Sequence, residues 1–374
     1  MKDNLTSNVS LSAAEEKYYL ASSWTLMRRR FVKHKLAVVG AVILALFYIL
    51  AIFANFFSVS EPYERHKKYT LAPPTPIHFF HEGKLHRPFV YGLKSGRHPT
   101  TRAKVFVTDF EKVYPIRFFV KGYEYRVLGL FPSRLHFMGV DKPGVLLLFG
   151  TESLGRDMFS RVLHGARVSL SIGLVGVALS FILGCLLGGI SGYLGGWVDN
   201  FIQRTIEFLQ SLPTIPLWMG LAAAVPITWP QTTTYLMITV ILSILGWTGL
   251  ARIVRGKLLQ LREEDYVMAA KLAGATDWRI ITNHLLPGFM SYLIVHLTLA
   301  IPFMILGETA LSFLGIGLSS PTVSWGVMLQ QAQNVRTVSM QPWRLIPGLC
   351  VVIVVLCFNF VGDGLRDAAD PYKS

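Results

Sequence analysis

The chain has 374 residues, of which 52% are apolar and only 16% charged, with a net charge of +14. Soluble domains carry about 25% charged residues, so this balance excludes intrinsic disorder and argues against a soluble domain; aperiodic glycines and three cysteines exclude collagen-like and disulfide-scaffold classes. A polytopic membrane protein remains, and the basic excess is accounted for segment by segment without invoking nucleic acid as a partner.

Residues 1–35 are polar, with no early apolar core, and predict a cytoplasmic N-terminal segment without a cleaved signal peptide. Arg28, Arg29, Arg30, Lys33 and Lys35 abut an apolar run over 36–57, the first predicted transmembrane helix, and hold its start in the cytoplasm. Residues 58–150 break the pattern. They hold nine of the 19 prolines and no run of spanning length, and their fifteen Lys/Arg against seven Asp/Glu leave a net +8. Alternation over Lys104–Phe110, Tyr114–Lys121, Tyr123–Leu130 and Val145–Phe149 predicts a β-containing extracytoplasmic insert. Its positive charge is compatible with the positive-inside rule, which weakens for connections above ~60 residues.

Five further spans follow, over 167–193, 201–225 (with Pro213 and Pro216 inside), 232–250, 292–314 and 345–362. Six crossings put both termini inside. The 251–290 loop agrees, with Arg252, Arg255, Lys257, Arg262, Lys271 and Arg279, whereas the outer loop 226–231 has no Lys or Arg and 318–344 has only Arg336 and Arg344. Cys185, Cys350 and Cys357 all sit in apolar runs and read as small fillers; seven helical residues, ~10 Å, separate the last two, too far for a disulfide.

Gly184, Gly188, Gly192 and Gly196 recur every fourth residue, a flat stripe that lets a neighbouring backbone approach closely. General packing and a sliding or subunit interface are both open for it. In the cytoplasmic loop, Glu263, Glu264 and Asp265 place negative charge at a helix start, Tyr266, Ala269, Ala270 and Ala273 make a small-residue face with one aromatic at its edge, and Gly274 can close the helix in a left-handed conformation. Thr276 or Asp277 can cap a second helix ending before Pro287. This short surface helix is either an amphipathic connector or a plug for another protein's groove.

Glu308, in Leu306-Gly307-Glu308-Thr309-Ala310, is costly at membrane depth. It either lines a path through the bundle and meets a cationic group there, or bonds locally to Thr309 or Ser312; Asn359 is a weaker case. His81-Glu82-Gly83-Lys84-Leu85-His86 imitates a zinc-protease motif one residue too long, and the six histidines between His66 and His136 lack metal-ligand spacing, so no metal site is expected. There is no G-x-x-x-x-G-K-[ST] loop, so no ATP site is expected in this chain; an integral membrane enzyme, for which the spans offer only isolated candidates, and a stand-alone carrier are competing classes.

Tyr266 through Gly274, with Leu285-Leu286-Pro287 after it, resembles the EAA loop of ABC importer permeases. Four further blocks resemble the C-type subunits of dipeptide/oligopeptide/nickel importers: 150–170, beginning Gly150-Thr151-Glu152-Ser153-Leu154-Gly155-Arg156-Asp157; 192–199; 311–317; and the tail Gly362-Asp363-Gly364-Leu365-Arg366-Asp367-Ala368-Ala369-Asp370-Pro371. The resemblance implies an all-α type I importer fold of six spans plus the insert, with residues 151–374 forming the permease domain. It implies docking of Glu264, Asp265, Tyr266, Ala269, Ala270, Ala273, Gly274 and Asp277 on a cytoplasmic ATPase. The implied partners are a second homologous permease subunit, two ATP-binding subunits that hold ATP and Mg, an extracytoplasmic solute-binding protein and membrane lipid. The implied location is a bacterial or archaeal cytoplasmic membrane, and the cargo peptides, with nickel chelates or oligosaccharides as alternatives. Met268 replaces the loop's usual glutamate, and the 58–150 insert is longer than the branch pattern.

Overall fold

The computed structural model describes residues 23–369 except 82, 98, 100–103 and 227; most of the expected N-terminal segment and Asp370-Pro371 of the tail motif lie outside the described residues. A short helix α1 (Ser23–Lys33) leads into α2 (Lys35–Ile52), whose N-cap His34 accepts a hydrogen bond from Ala37 N at 3.2 Å. The apolar run predicted over 36–57 is interrupted at Phe53, and Ala54–Phe57 forms a separate single turn.

The insert carries a four-stranded antiparallel meander in the order β1 (His78–His81), β2 (Lys84–Arg97), β3 (Lys104–Val127), β4 (Phe131–Val140). Two expectations are corrected. The three alternating stretches are one long strand that ends at Val127, with a turn at 128–130, because its partners change along its length: Lys104 to Pro115 pairs with β2 and Ile116 to Val127 with β4. Residues 145–149 are not a strand; Leu146 and Leu147 are buried, and Leu147 exchanges hydrogen bonds with Thr75.

Helix α3 (Met158–Leu194) begins nine residues before the span predicted from Arg167, because Asp157 caps it, its side chain accepting from Ser160 N at 2.7 Å. At ~1.5 Å per residue it is longer than a ~30 Å hydrocarbon layer requires. The predicted third span, 201–225, is not one helix. It is built from α4 (Gly196–Ser211) and α5 (Thr214–Ala223), broken at Leu212, which is extended (φ −84°, ψ 134°) because the following Pro213 disfavours helical geometry before it. Helix α6 (Gln231–Leu261) runs eleven residues past the predicted span end, so the first part of the 251–290 loop is helical. After α7 (Asp265–Leu272), a wide π-type turn (Ile280–Leu285) leads into α8 (Met290–Phe313), and α9 (Ile346–Ala369) closes the described chain. Among the described residues, five helical stretches are long and apolar enough to cross a membrane: Lys35–Ile52, Met158–Leu194, Gln231–Leu261, Asp277–Phe313 and Pro342–Ala369.

Helix α3 is the axis of the bundle, with α6 along one side and α2 and α8 on others. Ile172, Trp218, Ile238, Leu242 and Met304 fill the space between α3, α5, α6 and α8, while Leu44, Leu170, Ile305, Val354 and Phe358 join α2, α3, α8 and α9. The remaining face of α2 leaves Val39, Val42 and Leu46 more than half exposed, as expected of side chains that meet lipid.

Candidate coupling site

Helix α7 is short, and its ends are what fix it. Glu264 precedes it in an extended conformation, with Asp265 in the first turn. At the far end Gly274 is left-handed (φ +79°); Gly274 N donates to Lys271 O at 3.0 Å and Ala275 N to Ala270 O at 3.1 Å, the paired bonds of a Schellman cap. Thr276 then caps the next turn, accepting from Arg279 N at 3.4 Å.

Inward, Val267 is fully buried against Val254, Leu258, Ile280, Ile281 and Leu285, with Ala270 packed beside it. Outward stand Tyr266, Ala269, Leu272 and Ala273. The predicted face of Tyr266, Ala269, Ala270 and Ala273 is therefore corrected at Ala270, which turns toward the core with Val267. Leu272, 88% exposed, and Trp278, 61% exposed, supply large apolar surface that the small-residue pattern missed. Met268 is also exposed, so no buried partner awaits a carboxylate at that position.

Two polar links tie this loop to the bundle. Tyr193, at the end of α3, donates its hydroxyl hydrogen to Asp277 Oδ1 at 2.8 Å, and Lys271 Nζ lies 5.2 Å from the Tyr193 ring centroid. Nearby, Arg255 of α6 grips Asp199 of α4 with both Nε and Nη2 at 2.5 Å, while Ser191 Oγ donates to the same carboxylate at 2.5 Å. This bidentate, charge-assisted pair ties α4 to α6.

The glycine stripe lies on the α3–α6 seam. A Cβ on Gly184 would sit 2.9 Å from the Leu250 side chain, one on Gly188 would press on the Ala251 backbone, and one on Gly192 would lie 2.7 Å from Arg255 O. Gly196 is not part of the stripe. The helix ends at Leu194, Gly195 (φ +66°) turns the chain, and nothing stands within 4 Å of a Cβ built on Gly196.

Glu308 is fully buried in α8 and accepts from Ser169 Oγ of α3 at 3.0 Å and Ser312 Oγ at 2.9 Å. Those hydroxyls in turn accept from Trp325 N and Leu318 N, so the carboxyl lies at the centre of a small network binding α3, α8 and the 318–325 connection. Asn359 is exposed on α9. A separate cavity of about 480 Å³ between α3, α4, α5, α6 and α8 is lined by Gln210, Trp218, Thr248, His296 and Phe303, among others, but not by Glu308 or Asn359. His81 and His86 lie on the adjoining strands of a hairpin, ring centroids 5.9 Å apart, and among the described residues no three His, Cys, Asp or Glu cluster as metal ligands.

These apolar, membrane-length helices, with a capped and exposed helix on a basic loop, define an integral membrane protein. The family comparisons agree. Residues 180–373 match the model of the binding-protein-dependent transport system inner membrane component, and 22–74 match the N-terminal TM domain of oligopeptide transport permease C. The chain belongs to this family of binding-protein-dependent ABC importer permeases. It is 42% identical over 224 residues to the dipeptide transport system permease protein DppC of Bacillus subtilis (60% of this chain, 68% of that one). It is 31% identical over 358 residues to DppC of Alkalihalophilus pseudofirmus (96% and 92%), an alignment that runs through most of the insert. An inward-facing structure of the MetNI methionine ABC transporter matches with a TM-score of 0.44 at 18% identity, covering 56% of this chain and 97% of that one. The protein is thus an integral inner-membrane transport subunit and not an enzyme; ATP hydrolysis in these systems lies in partner subunits, and solute arrives on a binding protein.

Proposed function

We propose that this permease imports peptides by alternating access, and that α7 is the element through which a cytoplasmic ATPase subunit drives it. The relatives' names, dipeptide and oligopeptide permeases, support the cargo class. The coupling role rests on one observation above all. Tyr266, Ala269, Leu272 and Ala273 stay exposed on a helix whose other side is locked to the bundle through Val267 and whose following turn is joined to Tyr193. A rigid helix with an unpartnered apolar face transmits a push, whereas a loose loop would absorb it.

In this reading the complex contains a second homologous permease, two ATP-binding subunits that hold ATP and Mg, and one extracytoplasmic solute-binding protein. Six crossings leave both termini inside, with α4 and α5 together making the third: α5 alone spans ~15 Å, half the hydrocarbon layer. Residues 58–150 then lie outside, where their net +8 charge helps steer the binding protein. Glu308 acts as an internal tie between helices, and the 480 Å³ cavity is the better candidate for lining the path.

The test is photocrosslinking from positions 272 and 273 in intact membranes, together with uptake of labelled di- and oligopeptides with and without the ATPase subunits. The reading predicts a crosslink to an ATP-hydrolysing subunit and uptake that needs it. Peptide uptake in the absence of any ATPase, or crosslinks to lipid alone, would overturn it.

A further inference from the structure

The β3–β4 hairpin does not project away from the bundle. It hangs along α2 and α3, enclosing an open-sided groove of about 750 Å³ whose lining includes Tyr48, Ile52, Leu135, Leu174, Arg126 and Arg167. From Arg167, at the outer end of the groove, to Leu174 is seven residues of helix, ~10 Å, so the hairpin reaches down beside helix surface apolar enough to face lipid.

Its tip is built against turn preference. Leu128 (φ 50°) and Gly129 (φ 77°) are both left-handed, and Leu130 N closes the turn on Val127 O at 2.9 Å. Such a turn favours Asn or Asp at its first central position, and leucine there is strained. The strain comes with apolar surface: Leu128, Leu130 and Phe131 are 66%, 72% and 70% exposed. A tip in water would gain nothing from these side chains; a tip in hydrocarbon would. The groove is also charged in one sense only. Arg126 and Arg167 line it, and no acidic residue does among the described residues. Arg167 donates to Ala51 O at 3.1 Å and Ile52 O at 3.0 Å, which fixes its cationic head at the end of α2.

We propose that the groove holds one anionic phospholipid, its phosphate between Arg126 and Arg167 and an acyl chain against Leu174, with the hairpin tip wedged into the same leaflet. The basic pair supplies the complement of a phosphate, and continuity with the apolar face of α2 and α3 makes a lipid the occupant. Which leaflet is involved rests on the outward placement of the insert proposed above; the occupancy itself does not.

The full complex is co-expressed and tested in two ways. A benzoylphenylalanine at position 130, irradiated in native membranes, should give adducts of lipid mass. Purified complex in mixed phosphatidylglycerol/phosphatidylcholine nanodiscs should retain phosphatidylglycerol selectively, and R126Q, at an exposed position, should lower that enrichment about fivefold, the share of one basic side chain at an anionic surface, with R126K preserving it. Adducts only to a second permease subunit or to the binding protein, or equal retention of both lipids, would overturn the proposal. Labelling of K121C by an impermeant maleimide reports separately which side the insert occupies, so a wrong orientation is distinguishable from an empty groove.

Discussion

The hydroxyl of Tyr193 donates to Asp277 across 2.8 Å, joining the last turn of α3 to the turn that follows α7. The same ring receives Lys271 at 5.2 Å, so one aromatic side chain holds both the last turn of α7 and the turn after it. Replacing Tyr193 by Phe removes the hydrogen bond and keeps the ring. A partly exposed bond of this kind contributes about 0.5–1.5 kcal/mol, so the melting temperature should change little while peptide uptake per ATP hydrolysed falls. Unchanged coupling in proteoliposomes would remove Tyr193 from the transmission route.

Leu272 is 88% exposed, so a polar residue there costs the isolated permease almost no stability. Leu272→Asp should therefore fold and insert normally but lose the ATPase subunits on affinity purification, and uptake with them. Val267→Asp is the contrasting case. It places a charge in the fully buried core beneath the helix, and the expected outcome is low membrane abundance, read by immunoblot.

The glycine seam gives opposite predictions within one bundle. Gly188→Ala presses a methyl group on the Ala251 backbone and should cost about 1–3 kcal/mol. Gly256→Ala, where nothing stands within 4 Å inside α6, should stabilise by about 0.5–1 kcal/mol through helix propensity. Thermal unfolding of the two variants in one detergent should move in opposite directions.

Arg255 bonds both oxygens of the Asp199 carboxylate at 2.5 Å, and Ser191 donates to it as well. Asp199→Asn should cost about 1.5–3 kcal/mol, as for hydrogen bonds to charged groups, read as a fall in melting temperature.

Glu308→Gln leaves one of the two serine hydroxyls without its carboxyl acceptor, and Glu308→Ala leaves both, Ser169 and Ser312. Each buried orphan costs about 1–3 kcal/mol, so melting temperatures should fall in the order wild type, Gln, Ala. Loss of transport without any thermal change would instead point to a role in the path.

Local pattern carried the organisation of this chain further than it carried the detail. Hydrophobic runs located five of the long apolar helices, because spanning lipid demands apolar length regardless of what the helix packs against. The cap at Gly274 was readable because a left-handed helix end selects glycine. The split of 201–225 was half visible in Pro213, although apolarity on both sides concealed it. The coupling face was read from Tyr266 and three alanines, and Ala270 and Leu272 exchanged roles once the helix was docked. Alanines have no size with which to declare a side, and which face of a short helix is buried depends on the distant residues Val254 and Leu258 that meet it. Gly196 shared the period of the stripe but lies past a helix end that the spacing could not register.

By itself, the sequence determined that this is a multi-span membrane protein with a basic insert and a capped loop helix, since lipid immersion, charge bias and helix capping act on neighbouring residues. Tertiary structure alone decided which glycines touch α6, where the carboxyl of Glu308 finds its donors, which side of α7 remains free, and that a strained, apolar hairpin tip faces α2 and α3 across a groove. Each of those depends on groups that are far apart along the chain, and only the packed bundle brings them within the few ångströms over which contacts and hydrogen bonds act.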